Sequence, residues 1–360
     1  MVKNHGVSIE YDMTVDAGKT PPVRPRMSDV GRLAGVSAQT VSRFLTGKGY
    51  VHDETRIRIQ RAIDELGYRP NRIARNLHVT RTDSIGLLSA GTVNYGAAQT
   101  ISGMSIRAQA TETTLITALV ADSPGRDEEV ARALERMLSM QVDGILAGVR
   151  FVDIERILAE TVRDDVPVVV IAGRPLPMLD SAGADSYQAG VLAMQHLLEL
   201  GHRRIGHLCG PTDSDESRER QRAYEDAMLE AGLPALPLIS GGAWDSESGY
   251  EAAMRTDLRE YSAVFCGNDE LALGLIAAAR RKNVSVPRDL SVVGIDDMPE
   301  ARYFAPPLTT VRFDFAALGA GAFDMILRRV ETGVRQEHLV LPAQLVVRDS
   351  TAPPTRRRTR

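Results

Sequence analysis

Apolar positions follow two different textures along the chain. From Met27 the spacing is helical: Val30, Leu33 and Ala34 fall at i, i+3 and i+4, and Val41, Phe44 and Leu45 repeat the stripe. Between the two stripes lies Ala34-Gly35-Val36-Ser37. Gly35 can take the left-handed conformation that ends a helix, and Ser37 can cap the next one by accepting from its free N–H groups. Gly47-Lys48-Gly49 breaks the chain, and a third helix is predicted from about Asp53 to Leu66, with Ile59, Ile63 and Leu66 on one face and Gly67 as its stop. Three short helices with a tight glycine turn between the first two predict a helix-turn-helix. After a break at Tyr68-Arg69-Pro70-Asn71, the stretch Arg72–Leu77 fits a further short helix, with too few apolar residues to stand alone.

From Ser84 the texture changes to strand–helix units. Ile85–Leu88, Leu115–Val120, Gly144–Ala147, Pro167–Ala172, Arg204–Cys209, Ala263–Cys266 and Leu290–Ile295 read as buried strands. Glu128–Met140, Gln188–Leu200, Ser217–Ala231 and Glu270–Lys282 read as helices between them. Such alternation implies parallel sheets covered on both faces, and the strands are too many for one compact sheet. The expected fold is therefore α/β: a small all-α domain, then two doubly wound lobes with a ligand cleft between them. A length of 360 residues agrees with two or three domains.

Composition narrows the function. With 43% hydrophobic and 25% charged residues the chain is not wholly disordered. Two cysteines, Cys209 and Cys266, form no disulfide framework and no zinc motif, so a reducing, cytoplasmic setting is expected. The polar first 22 residues lack the apolar core of an export signal, and the longest apolar run, Val166–Ala172, is far short of the ~20 residues of a membrane span. Charge is the sharper signal. Residues 24–81 hold twelve Lys/Arg against five Asp/Glu, an excess of seven, so a net −4 overall leaves −11 on the other 302 residues. A small basic module on an acidic body points to a polyanionic partner for the module.

Enzyme motifs fail on inspection. Gly18-Lys19-Thr20 resembles the end of a phosphate-binding loop, but Met13 stands where its first glycine belongs; Gly319-x-Gly321 is followed by Asp324 where a dinucleotide fingerprint needs glycine. His202 and His207 flank a strand start and read as surface or capping residues. Asp296-Asp297 has no nucleophile nearby in the sequence. The expectation is a protein that is not an enzyme and uses no cofactor or metal.

The run Met27-Ser28-Asp29-Val30-Gly31-Arg32-Leu33-Ala34-Gly35-Val36-Ser37-Ala38-Gln39-Thr40-Val41-Ser42-Arg43 resembles the DNA-binding headpiece of the lactose/galactose repressor family. The likeness continues through Gly67-Tyr68-Arg69-Pro70-Asn71, Gly267-Asn268-Asp269, Ser291–Asp297 and Pro306-Pro307-Leu308-Thr309-Thr310-Val311. It spans about Met27 to Asp349. The order of these pieces makes it specific.

The resemblance implies roles. The second helix enters the major groove, where Gln39 can pair with adenine and Arg43 with guanine, and Ala38 can touch a thymine methyl. Ser28, Ser37 and Thr40 fall where phosphates are held. Asn71, Arg72, Ala74 and Leu77 match a hinge helix that orders on operator DNA, with Leu77 as a minor-groove wedge. The body resembles periplasmic sugar-binding proteins, and its effector-binding residues would be Arg218, Arg220, Trp244, Asn268, Asp296 and Phe313, with Phe315 beside them. Ala172 stands where some members carry a sugar-binding aspartate. The implied partners are double-stranded operator DNA, a small sugar-like effector and a second copy of the chain in a homodimer, with no membrane. The alternatives are a regulator co-repressed by a purine or other metabolite, a solute-binding protein with no DNA role, and an α/β enzyme using Asp296, Asp297 and Arg220.

The expected division is an N-terminal arm (1–23, disordered), a helix-turn-helix domain (24–70), a hinge (71–83), and an effector domain (84–349). Within the latter, the N-lobe takes about 84–183 and 312–340 and the C-lobe about 184–311 and 341–349, and a disordered basic tail (350–360) follows.

Overall fold

The computed structural model describes residues 25–47, 49–69, 81–90, 94–120, 125–148, 154–162 and 165–355. The chain divides into two compact units, one before and one after the boundary at Thr80–Arg81.

The first unit is α1 (Met27–Ala34), α2 (Ala38–Thr46) and α3 (Asp53–Leu66). Gly35 closes α1 at φ +67°, the left-handed conformation anticipated for it. Ser37 then caps α2, its Oγ accepting from the Thr40 N–H at 3.1 Å. Val30, Ala34, Val41, Val51, Ile59, Ala62 and Tyr68 form the core, with Phe44, Leu45, Ile63 and Leu66 packed at its edge. Leu33 departs from its expected place and is 47% exposed. A position three residues on lies some 60° off the Val30 direction, and here only the i+4 neighbour, Ala34, turns fully inward.

The second unit holds two six-stranded sheets. The N-lobe sheet contains β1 (Ser84–Ala90), β2 (Thr114–Val120), β3 (Gly144–Gly148), β4 (Val168–Ile171), β5 (Asp180–Ala184) and β11 (Leu339–Leu341), in the spatial order β11-β5-β4-β3-β1-β2 and parallel throughout. The C-lobe sheet contains β6 (Ile205–Cys209), β7 (Ile239–Ser240), β8 (Ala263–Cys266), β9 (Ser291–Asp296), β10 (Thr309–Arg312) and β12 (Gln344–Val346), in the order β12-β10-β9-β8-β6-β7, with only the β10–β12 pair antiparallel. The helices are α4 (Tyr95–Ala110), α5 (Arg126–Ser139), α6 (Ile154–Thr161), α7 (Ser186–Glu199), α8 (Asp215–Glu230), α9 (Ser246–Arg255), α10 (Asp269–Arg281) and α11 (Phe315–Thr332). Crossover helices between parallel strands account for the near-continuous apolar runs of β1 and β4, which are buried on both faces.

The Leu115–Val120 stretch is a strand but not a buried one: β2 is the sheet's edge, only Val120 is buried, and Leu119 is 57% exposed. The chain crosses between lobes after β5, after β10 and after β11. The tail expected to be free from residue 350 is instead bound in through residue 352. Ser350 is fully buried, its Oγ donating to Val292 O at 2.6 Å and accepting from Thr309 N at 2.8 Å, and Ala352 N donates to Ser291 Oγ at 3.0 Å. Among the described residues no helix is long and apolar enough to cross a membrane.

Candidate functional sites

In the headpiece, capping and burial decide which side chains face outward. The core-facing Val41 is fully buried, which turns Ala38, Gln39 and Arg43 to the surface. Gln39 and Arg43 are four apart and so share a face. Ser37 Oγ and Thr40 Oγ1 lie 2.9 Å apart at the start of this helix, beside the N–H groups that make a helix N-terminus favourable to anions. Ser28 is exposed in the first turn of α1. Tyr50, 85% exposed and edge-on to His52 at 6.4 Å, stands in the loop after α2 and belongs to no apolar stripe. Asn71, Arg72, Ala74 and Leu77 lie outside the described residues.

In the body, a cleft of about 590 Å³, counted with its open mouth, lies between the lobes. Its N-lobe wall carries Leu87, Ser89, Thr100, Ala172 and Phe315, and its C-lobe wall Glu216 and Arg220. Among the described residues, polar contacts that span the lobes include Arg126 Nη1 to Asp213 Oδ2 at 3.4 Å and the Tyr95 N–H to the Glu270 carboxylate.

Arg220 is the centre of the C-lobe wall. It is 6% exposed, donates through Nη1 to Gly267 O, and its buried Nε has no partner among the described residues. Burial lowers its pKa, against which the nearby carboxylates of Asp296 and Asp269 act. Its guanidinium lies 5.2 Å from the centre of the Trp244 ring. That ring lies flat on backbone: a Cβ on Gly210 or Gly267 would stand 2.5 or 2.9 Å from it. These glycines end the adjacent strands β6 and β8, and side chains there would displace the indole.

Asp269 is 1% exposed and accepts from Thr310 Oγ1 at 2.5 Å and Met298 N at 2.9 Å. Its pKa is raised well above the usual carboxylate range, by burial first and by Asp296 second. Asp296 and Asp297 both adopt positive φ, +117° and +51°. Strain of this kind costs about 1–3 kcal/mol per residue and persists only where surroundings enforce it. Here Asp297 is clamped by Arg312 at 2.6 Å and Arg348 at 2.5 Å.

The structure brings Arg220, Trp244, Asn268 and Asp296 close together beyond the C-terminal ends of the C-lobe strands, but gives them unequal surroundings. Asn268 caps α10, its Oδ1 accepting from Leu271 N at 2.8 Å and its Nδ2 donating to Trp244 O at 3.1 Å and Glu270 Oε2 at 3.3 Å; its amide is committed to the protein. Arg218 does not belong. Two residues from Arg220 it points to the opposite side of α8, half exposed and paired with Asp215. Phe313 is buried in the core behind Phe315 at 5.5 Å, and Phe315 is the phenylalanine that lines the cleft. His207 is no surface residue: it is fully buried on β6, stacked on Phe265 at 4.6 Å, with Nδ1–H donating to Phe265 O at 3.0 Å. Burial lowers its pKa to about 4. His202, also expected at the surface, is 1% exposed. Among the described residues no group of three or more His, Cys, Asp or Glu is placed to hold a metal.

One unit thus carries a capped, surface-facing helix and the other a cleft between two lobes with Glu216 and Arg220 in its wall. Residues 26–71 match the model of bacterial regulatory proteins of the lacI family, and residues 194–351 that of a periplasmic binding protein-like domain. The HTH-type transcriptional repressor PurR of Haemophilus influenzae is 32% identical over 331 residues, 90% of this chain and 98% of the relative. The ribose operon repressor of the same species is 33% identical over 333 residues, again 90% and 98%. The lac repressor dimer bound to operator and the anti-inducer ONPF superposes with a TM-score of 0.84 at 27% identity, covering 91% of this chain and 99% of that one. The chain belongs to the lacI family and is a DNA-binding transcriptional repressor, not an enzyme.

Proposed function

We propose that the protein is a cytoplasmic homodimer that holds a palindromic operator and releases it when a small sugar-like effector binds between the lobes, controlling genes of carbohydrate use. In this reading Gln39 and Arg43 contact base edges, Ala38 a thymine methyl, Ser28, Ser37 and Thr40 phosphates, and Leu77 the minor groove. Two headpieces related by a two-fold axis read two half-sites, which calls for the dimer.

The observation that carries the effector reading is Arg220. A buried guanidinium with one carbonyl partner and an unmet Nε donor is costly unless an acceptor reaches it. A planar fork suits vicinal hydroxyls. The ribose operon repressor and the lac repressor complex among its relatives support a carbohydrate. A purine co-repressor is the second reading, favoured by PurR and by Phe315 in the cleft wall, edge-on to Tyr95 at 6.3 Å.

The test is a thermal-shift and calorimetric screen of sugars and nucleobases on the full chain and its Arg220→Ala variant. A sugar that stabilises only the unsubstituted protein supports the first reading. A nucleobase that does so selects the second, and a sugar that stabilises both proteins equally refutes the assigned cleft.

A further inference from the structure

The turn after α2 carries two glycines in conformations that other residues rarely adopt. Gly47 ends the helix at φ +66°, and Gly49 follows at φ +107°. Two residues on, Val51 is 6% exposed and belongs to the headpiece core, so the turn is tied down at its far end. Between these fixed points Gly49 is brought against Arg43. A Cβ at Gly49 would stand 3.6 Å from Arg43 Cδ and 3.9 Å from its Cγ, whereas a Cβ at Gly47 would meet nothing within 4 Å. We propose that Gly49 is a positioning residue for DNA recognition, walling the aliphatic stem of Arg43 and ordering its guanidinium before a duplex arrives. This role rests on the reading of Arg43 as a base contact.

Arg43 is exposed on the outward side of α2. An exposed arginine surrenders rotamer freedom when its fork is fixed on a base edge. Backbone packed against Cγ and Cδ removes part of that freedom in advance, so less is lost on binding. The wall is itself rigid, since Val51 cannot leave the core without exposing apolar surface in a domain that has little to spare.

Glycine suits the contact in two ways. A φ of +107° is closed to most other residues, and a side chain longer than a methyl group, directed at Cδ from 3.6 Å, would push the stem aside. Gly47 shares only the first property, which makes it an internal control for backbone strain. Base contacts discriminate between sequences and phosphate contacts do not. A displaced Arg43 therefore costs specific binding and spares non-specific binding, a signature that loss of stability alone does not produce.

Fluorescence anisotropy of the full chain tests this, on a palindromic duplex selected from a random pool and on a scrambled duplex of equal length, well below the headpiece melting temperature. Gly49→Ala should lower the ratio of the two affinities by roughly two- to tenfold, and Gly47→Ala should leave it unchanged. In an Arg43→Ala background, Gly49→Ala should have no further effect on the ratio, because both residues act through one contact. An unchanged ratio in Gly49→Ala overturns the proposal, as does a fall that Gly47→Ala matches or that persists undiminished without Arg43. If Arg43→Ala itself leaves the ratio unaltered, the base-contact reading fails and takes the proposal with it. Relaxation of arginine Nε–H groups in the unsubstituted, DNA-free protein gives a readout that needs no variant to fold. Arg43 should be more restricted than Arg61, an exposed arginine of α3; equal mobility of the two overturns the proposal.

Discussion

The headpiece buries seven side chains around Val41 and Ile59 and leaves Gln39 and Arg43 at its surface. The body does the reverse with its charged groups: Arg220, Asp269 and Asp296 are each at most 6% exposed. A rigid polyanion can be read by a convex, solvated face, where charges cost little to keep. On the proposed reading a small effector must be surrounded, and the groups offered to it are desolvated in advance and held by neighbours. The stability of the two units therefore answers to different perturbations, which gives ways to separate them.

The largest effect is expected from Val41→Asp. A carboxylate at a fully buried position of so small a core should cost more than about 4 kcal/mol. The headpiece should unfold and operator binding vanish while the body's thermal transition persists; a single shared loss would show that the two units do not fold separately. Next comes pH. Burial holds the His207 pKa near 4 in the folded body, below the ordinary 6.5, so the unfolded chain takes up its proton first. The stability this residue supports is present above about pH 6.5 and is lost as pH falls toward 4, by roughly 3 kcal/mol. Urea melts should show that slope, and His207→Gln should flatten it; an unchanged slope would move its origin elsewhere.

Arg43→Ala should reduce operator affinity by about 1–3 kcal/mol and leave non-specific DNA affinity nearly unaltered. Equal losses on both would make Arg43 a phosphate contact. The smallest effect is Ser37→Ala, which removes the cap on α2 and should destabilise the headpiece by about 1 kcal/mol without altering effector binding. Chemical denaturation read at the headpiece checks it.

The contrast also explains what was legible. Helix α3 matches its expected span because its apolar stripe and its Gly67 stop agree. The buried strands β1, β3, β4, β6, β8 and β9 are apolar runs between breaks, whereas the buried β5 and β10 are rich in Asp, Ser, Gly and Thr and have no such run. Helices α4 and α11 escaped notice, since they cross through small residues rather than a stripe of large ones: a Cβ on Gly319 would sit 1.9 Å from Thr100 O. Gly319, first of the glycine pair that fails as a dinucleotide motif, belongs to this crossing, whereas Gly321 faces Leu339 of β11. Arg220, where motif and depth coincide, does line the cleft. Arg218 was misplaced because adjacency in sequence is not adjacency on a helix. Thr100 and Glu216 reach the cleft only through the packing of two lobes, which no local pattern encodes.

The most direct measurement is operator affinity by fluorescence anisotropy, with and without the most stabilising sugar of the screen, for the full chain and for Arg220→Ala. The account predicts that the sugar weakens DNA binding of the unsubstituted protein by about tenfold or more, and that Arg220→Ala binds DNA equally well but ignores the sugar. An Arg220→Ala protein that releases DNA in step with the unsubstituted one would contradict it.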